Sequence, residues 1–459
     1  MSWAFEELSG LQLNDKRLEA RGKKVLEALG NRPSVSTPNA FLSWSETYAA
    51  YRFIGNKKVT SEKVIAPHIE ASITRIQAHK TVLMPQDTTE LNYSNHHKKQ
   101  GIGPIHSEKN RGLLLHPTLA VTPERVCLGV VDDYSWYRSQ LERKKDHKDK
   151  QIEEKESYRW LLSYRVCNEV AKRCPDTRII NVADREGDIY EFFLETSVER
   201  EAALAHWIIR SAQNRSLEPE QAQQQKKLWN ELKAETSVAE IEFEMPLRDG
   251  NGKRKVTQEI KFKRVKLKCP KTKDFSPVEL TVVMATESHP PLGEKPVEWV
   301  LLTSLDIKNA QEAVEVVEFY LCRWQIEVFF RVLKHGCSVE QRQFLQANSL
   351  NVVIRLYMII AWRVLYLTML GRICPDMDCE CVLTACEWQS VYAIIHKGRP
   401  LPPTPPTLNQ MITMIAILGG YLKNAKKPPG VQTLWIGMQR MHDFAIAWSS
   451  FQNMQDEST

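Results

Sequence analysis

The chain has 459 residues, 42% of them hydrophobic and 26% charged, with a formal net charge of +6 at pH 7. That length supports two or three domains around a sizeable core, and that balance excludes a disordered or a fibrous chain. The opening Met-Ser-Trp-Ala-Phe-Glu-Glu has no basic run followed by an apolar stretch, so a secretory signal is not expected there and the protein is read as cytoplasmic, with no membrane partner. Ten cysteines in such a chain read as reduced thiols. Four of them cluster as Cys374, Cys379, Cys381 and Cys386, without the paired Cys-x2-Cys loops of a structural zinc site.

In chain order, residues 15–29 and 37–55 read as helices, with Asn14 or Asp15 capping the first and Gly30 stopping it. Lys16, Arg17, Arg21, Lys23 and Lys24 crowd the first helix, as a phosphate-contacting face or a solvated one. From Leu83 the pattern changes to strand-length apolar bursts. Residues 81–85 lead into Asp87, residues 113–121 and 126–131 form two more strands, 157–173 a helix, and 178–183 a strand leading into Asp184. After a strand at 205–210 come alternating stretches at 239–244, 256–268, 278–285 and 298–304, read as an inserted antiparallel sheet. Between Lys253 and Lys273 ten Lys/Arg face one acid, Glu259, which makes this stretch a candidate DNA contact. Lys261 with Lys263, and Lys266 with Lys268, share strand faces by period 2, with Phe262 and Leu267 expected on the core side. The apolar stretch 351–370 is broken by Arg355 and Arg363 and reads as a buried helix rather than a membrane span. Arg399-Pro-Leu-Pro-Pro-Thr-Pro-Pro-Thr is a stiff connector, followed by an apolar helix at 408–418.

The segment from Tyr320 to Lys334 sets Tyr320, Arg323, Glu327 and Lys334 at offsets 0, 3, 7 and 14. On one continuous helix these fall within an arc of roughly 60°. Cys322, Ile326, Phe329 and Leu333 form a second, core-facing stripe. On spacing alone this is compatible with an ordinary ion-paired helix face. Its identity and context, Arg-Trp-x-Ile-Glu included, resemble the Tyr-x2-Arg-x3-Glu-x6-Lys signature of the bacterial insertion-sequence-four family of DDE transposases. Asp87-Thr-Thr-Glu-Leu-Asn-Tyr resembles that family's first-strand motif, Asp184-Arg-Glu-Gly-Asp-Ile-Tyr its second, and Glu154-Lys-Glu-Ser the start of its first core helix. Tyr48-Ala-Ala-Tyr-Arg-Phe-Ile-Gly-Asn resembles its N-terminal end-binding domain. The Gly-Gly-Tyr-Leu, Pro-Pro-Gly and Leu-Trp-x-Gly series after residue 418 resembles its C-terminal tail, so the likeness spans nearly the whole chain.

The resemblance implies an α/β fold: an RNase H-like catalytic core with an inserted antiparallel β-sheet, flanked by a helical N-terminal DNA-binding domain and a helical C-terminal domain. The implied bounds are 1–66, 67–371 with the insertion at about 212–305, and 372–459. It implies Asp87, Asp184 and Glu327 as catalytic metal ligands for Mg2+, with Mn2+ as a substitute. Asp188 competes with Asp184 for the second position. Tyr320, Arg323 and Lys334 are implied to hold phosphates at the transposon end, Arg185 and Arg210 to grip it, and Trp299 to receive a flipped base unless it is a buried strand tryptophan. The chemistry suits the residues, because phosphodiester cleavage and transfer need an activated oxygen and charge neutralisation, which carboxylate-bound divalent ions supply. The implied function is cut-and-paste DNA transposition through a hairpin intermediate, on double-stranded terminal repeats and target DNA, by a homodimer in the DNA complex. Two alternatives are an RNase H-like structure-specific endonuclease and a non-catalytic transposase-derived regulator.

Overall fold

Runs of Val, Ile and Leu bounded by Gly, Pro and Asp form the strands, and amphipathic stretches between them form the helices. The computed structural model describes residues 2–95, 101–141, 150–198, 205–218, 226–246, 253–270, 276–422 and 427–456. His96, His97, Lys271 and Lys273 lie outside the described residues. The chain opens with α1 (Trp3–Glu7), α2 (Lys16–Asn31), α3 (Trp44–Ile54) and α4 (Ser61–Ile76). Then come β1 (Thr81–Pro85), β2 (Thr89–Asn92), β3 (Gly103–Pro104), β4 (Arg111–Val121), β5 (Cys127–Trp136), α5 (Tyr158–Arg173), β6 (Arg178–Ala183), α6 (Tyr190–Val198) and β7 (His206–Arg210). There follow α7 (Leu228–Ala234), β8 (Ala239–Pro246), β9 (Lys253–Leu267), β10 (Val278–Glu287), β11 (Glu298–Thr303) and α8 (Ala310–Leu321). The chain ends with α9 (Trp324–Arg331), α10 (Ala347–Ile373), α11 (Ala385–Ile395), α12 (Leu408–Leu418) and α13 (Val431–Asp456). Two compact units result, one of residues 1–75, 88–141 and 325–459, the other of residues 76–87 and 142–324. Helix α4 runs through residue 66 and α10 through residue 371, so neither expected boundary falls in a loop.

In the second unit β1 pairs parallel with β6, from Thr81 opposite Arg178 to Pro85 opposite Val182, and β6 pairs parallel with β7. The strands expected as an inserted antiparallel sheet do pair antiparallel, yet they continue the same sheet through β7 and β11, with Leu301 opposite Arg210, and then β10, β9 and β8. Helix α8 closes this sheet, burying Ala313, Val316 and Val317 against Leu83, Ile180, Ile208, Val283 and Leu301. Strand β9 corrects the expected facing of its basic run. Phe262 and Leu267 are an odd number of pleats apart, so they point to opposite faces, Leu267 buried and Phe262 partly buried. On one side Lys263 pairs with Glu235 at 2.6 Å and Glu231 at 3.3 Å, and Lys261 donates to the Lys233 carbonyl at 2.9 Å. Arg264 pairs with Glu279 at 2.6 Å and Asp306 at 3.0 Å. Much of the apparent positive charge is therefore neutralised within the unit, while Lys266 and Lys268 stay exposed.

In the first unit β4 pairs antiparallel with β2, β3 and β5. In chain order β1, the antiparallel β4 and β5, then α5, then β6 parallel to β1 follow the order of an RNase H-like core. Asp15 caps α2, accepting from the Arg17 and Leu18 amides at 3.1 and 3.2 Å. Gly30 does not stop that helix. It lies within it, where a Cβ would come 2.5 Å from the Trp3 ring, so the residue serves close packing. Helix α10 is long and apolar enough to cross a membrane, but 89% of its most apolar window is buried inside the protein. Its arginines are accommodated by partners: Arg355 by the Asp133 carboxylate and Ser135, and Arg363 by the Val382 carbonyl and the Trp3 ring.

A buried ionic group ties α1 to α4, β5 and α10. Glu7 accepts from His68 Nδ1 at 2.5 Å and from Arg75 at 3.0 Å, and the Val130 amide donates to His68 Nε2 at 3.0 Å. His68 therefore carries its proton on Nδ1, and burial keeps it neutral by lowering its pKa. Trp362 lies tilted beside His68 and under Arg75, and its indole donates to the Cys127 carbonyl at 2.9 Å. Burial alone would raise the Glu7 carboxyl, but the hydrogen bonds from His68 and Arg75 and the Arg75 charge outweigh it and hold its pKa at about 2 against an ordinary 4.5. A depressed carboxyl stabilises the fold fully above its unfolded value and loses that contribution as pH falls through the folded one. Glu7→Gln should therefore cost about 3 kcal/mol at pH 7. The gap from the parent should close between pH 4.5 and about 2, as read by thermal unfolding followed by circular dichroism. A gap that persists at the acid end would assign the loss to packing rather than charge.

Candidate active site

Two buried apolar strands deliver the first carboxylates. Val82, Leu83 and Met84 of β1 and Ile179, Ile180, Val182 and Ala183 of β6 have almost no exposure, so both strands are held rigidly to their C-terminal ends. The last register pair is Pro85 with Val182, and the Gln86 amide extends the pairing to the Val182 carbonyl at 3.1 Å. Asp87 and Asp184 each follow two residues later. The parallel register thus brings two half-buried carboxylates to neighbouring strand ends. Asp184 also caps a short turn, accepting from the Glu186 amide at 2.8 Å. Its competitor Asp188 is fully buried and committed elsewhere. It pairs with Arg215 at 2.6 Å and accepts from the Ala212 and Gln213 amides at 2.7 and 3.1 Å. Glu186 pairs with Arg159, and Glu90 with His106 and Arg138.

Basic and aromatic groups surround the pair. Arg323 Nη1 lies 2.8 Å from Asp87 Oδ2, with both side chains about 15% exposed. Tyr320, at the end of α8, is buried. Burial raises its pKa against the nearby positive charges of Arg323 and Arg210, with Asp184 close enough to raise it further. Arg210 also donates to the Glu298 carbonyl at 3.1 Å, and its Nε has no partner among the described residues. Burial lowers the Arg210 pKa; Tyr320 opposes this, while the charges of Arg185 and Arg323 add to it. Three arginines repelling one another beside two carboxylates suit a polyanion. Trp299 on β11 is half-buried, stacked on Phe243 at 5.2 Å and edge-on to Tyr320 at 5.6 Å. Behind them Arg185, Arg210, Arg254, Lys295 and Trp229 line a cavity of about 350 Å³. Phe243, Trp229 and the Asp188 to Arg215 pair carried no spacing signal that marks them in the sequence.

The segment Tyr320–Lys334 is not one helix. Helix α8 ends at Leu321, Cys322 and Arg323 form a turn held by bonds to the Phe319 and Tyr320 carbonyls at 3.1 and 3.0 Å, and α9 starts at Trp324. Val332–Gly336 then widens to a π-helix. The single 60° arc expected from unbroken helical spacing is therefore lost, because each interruption resets the phase. The expected core stripe is buried throughout, at Cys322, Ile326, Phe329 and Leu333. Glu327 on α9 and Lys334 in the π-helix are half-buried and belong to the other unit.

No three His, Cys, Asp or Glu among the described residues are grouped to hold a metal ion. The Asp87 and Asp184 pair nevertheless has the right donor chemistry for Mg2+, a hard cation that keeps waters and asks for one or two carboxylates.

Residues 1–59 match the model of the transposase DNA-binding family, and residues 359–452 match that of the Tn5 transposase dimerisation domain. The chain is a transposase. Its partners are DNA and a second copy of itself, served by the two ends of the transposase. Among solved structures it is similar to the piggyBac transposase in a synaptic complex with hairpin DNA, at 10% identity over 90% of this chain and 74% of that one, with a TM-score of 0.37. For the transposase, Asp188→Ala should destabilise the fold by roughly 3–5 kcal/mol, because it strands the buried Arg215. Asp184→Ala, at a half-exposed strand end, should change stability by about 1 kcal/mol or less. Chemical denaturation measures both, and equal losses would show that Asp188 is not the structural member of the two.

Proposed function

We propose that this transposase moves a DNA element by cut and paste: it binds terminal repeats, pairs two ends as a dimer, nicks, forms a hairpin at the element's end and joins the ends to target DNA. The observation that carries the reading is the parallel register of β1 and β6, which sets Asp87 beside Asp184 under Tyr320, Arg210, Arg185 and Arg323. The motif Tyr320 to Lys334 adds Glu327 as third carboxylate. Asp87, Asp184 and Glu327 would hold Mg2+ or Mn2+, which when bound supplies an activated oxygen and neutralises charge on the phosphoryl group. The residues themselves orient the strand. Arg185, Arg210, Arg323 and Lys334 bind phosphates, Tyr320 stands close to Arg210, and Trp299 presents a ring on which an extruded base can stack. The proposed regions are end binding at 1–66, catalysis at 67–371 with the sheet extension at about 212–305, and dimerisation at 372–459, acting in the bacterial cytoplasm at the nucleoid.

Asp87→Ala, Asp184→Ala and Glu327→Ala should each abolish nicking of a cognate end in Mg2+ while end binding by gel shift stays within about threefold. If Asp184→Ala stays active and Asp188→Ala is inactive yet folded, the second carboxylate is misassigned. Trp299→Ala should impair hairpin formation more than first-strand nicking, since a base must leave the stack only for the former. Equal loss at both steps, with lowered thermal stability, would assign Trp299 to packing on Phe243 alone.

A further inference from the structure

Arg323 holds one of the two oxygens of Asp87, a carboxylate that the proposed function assigns to a metal ion. Its Nη1 is 2.8 Å from Asp87 Oδ2, in a spot where both side chains are largely shielded from water. A divalent ion binds a carboxylate oxygen at about 2.1 Å. A guanidinium and such an ion on one carboxylate would repel each other strongly in that shielded setting. Arg323 also lies in the two-residue turn between α8 and α9 rather than inside either helix, its amide bonded to the Tyr320 carbonyl at 3.0 Å. Beside it Arg210 feels the repulsion of both Arg185 and Arg323, so the cluster holds more positive charge than its carboxylates balance. A phosphate diester relieves that excess, and its paired oxygens match the guanidinium fork as well as a carboxylate does.

We propose that Arg323 is a positioning residue that latches Asp87 in the DNA-free protein and transfers to a DNA phosphate on end binding, so that divalent-cation binding at Asp87 is coupled to DNA binding. The proposal rests on the reading that Asp87 and Asp184 hold the ion. Its functional consequence is that the carboxylate pair does not load metal until the strand to be cut is in place, which keeps a hydrolytic centre quiet away from its substrate. Coupling between two ligands is reciprocal, and typical couplings correspond to about 5- to 150-fold in affinity.

The test is Mn2+ binding to the full-length chain without DNA, by titration calorimetry and by loss of the free-ion paramagnetic resonance signal. Arg323→Gln should bind Mn2+ about tenfold more tightly than the parent, and Arg323→Gln with Asp87→Asn should lose that gain. With a precut terminal-repeat duplex present, and its own Mn2+ uptake subtracted, the parent should tighten by a similar factor while Arg323→Gln should not. If Asp87→Asn and Asp184→Asn leave Mn2+ binding unchanged, the carboxylate-pair reading itself fails. If they weaken it but Arg323→Gln binds no more tightly than the parent, the pair stands and the latch is overturned. Should Arg323→Gln fail to fold, the parent alone decides: a precut end that does not tighten Mn2+ binding overturns the latch.

Discussion

Like charges placed side by side are the constraint on which the site depends. The β1 and β6 register puts Asp87 and Asp184 at adjoining strand ends, and two carboxylates out of bulk water repel unless positive charge stands close. Arg323 supplies it directly, and Arg210 and Arg185 supply it to the wider neighbourhood. The buried lengths of both strands make that arrangement stiff, since shifting either by one residue would turn Leu83 or Ile180 out of the core. Rigidity of this kind is what a site for phosphoryl chemistry needs, because most of its effect comes from position and fixed charge.

Tyr320 and Arg210 show how polar groups are carried into this setting. The Tyr320 ring belongs to the core that α8 makes with the sheet, while Arg210 and Arg323 stand close enough to oppose the rise of its pKa. Trp299 likewise has one face on Phe243 and its side to Tyr320, so an aromatic ledge runs from β8 through β11 to α8. The sheet extension is thus continuous with the strands that bear the carboxylates, which lets β11 present both an aromatic group and a backbone carbonyl for Arg210.

The other unit solves a different problem, holding charged groups inside an apolar core. Glu7, His68 and Arg75 form a satisfied cluster under Trp362, and Arg355 and Arg363 enter α10 with partners from β5 and from Trp3. Each charged group has a polar or aromatic partner, because a buried charge with none would cost several kcal/mol. The cluster joins α1, at the start of the DNA-binding region, to α4, β5 and α10, so this terminal helix is part of the folded core.

Local chemistry determined much of this from the sequence alone. Strands ending at Asp87 and Asp184, the Asp15 cap, the buried character of α10 and the Tyr320, Arg323, Glu327 and Lys334 motif depend on neighbours in the chain, so they are legible there. Periodicity was misleading where packing broke a pattern. A turn at Cys322 and Arg323 and a π-helix at Val332 interrupt what spacing reads as one helix, Gly30 packs inside α2 instead of ending it, and much of the basic run on β9 is neutralised by acids from α7 and β10. Residue order favours Asp184 over Asp188 because Asp184 directly follows the strand, but what Asp188 does instead is not encoded there: only the fold brings Arg215 and two loop amides onto it. The Arg323 contact with Asp87 joins residues 236 apart, and no local propensity encodes such a pairing: it follows from the sheet register and from where α8 ends.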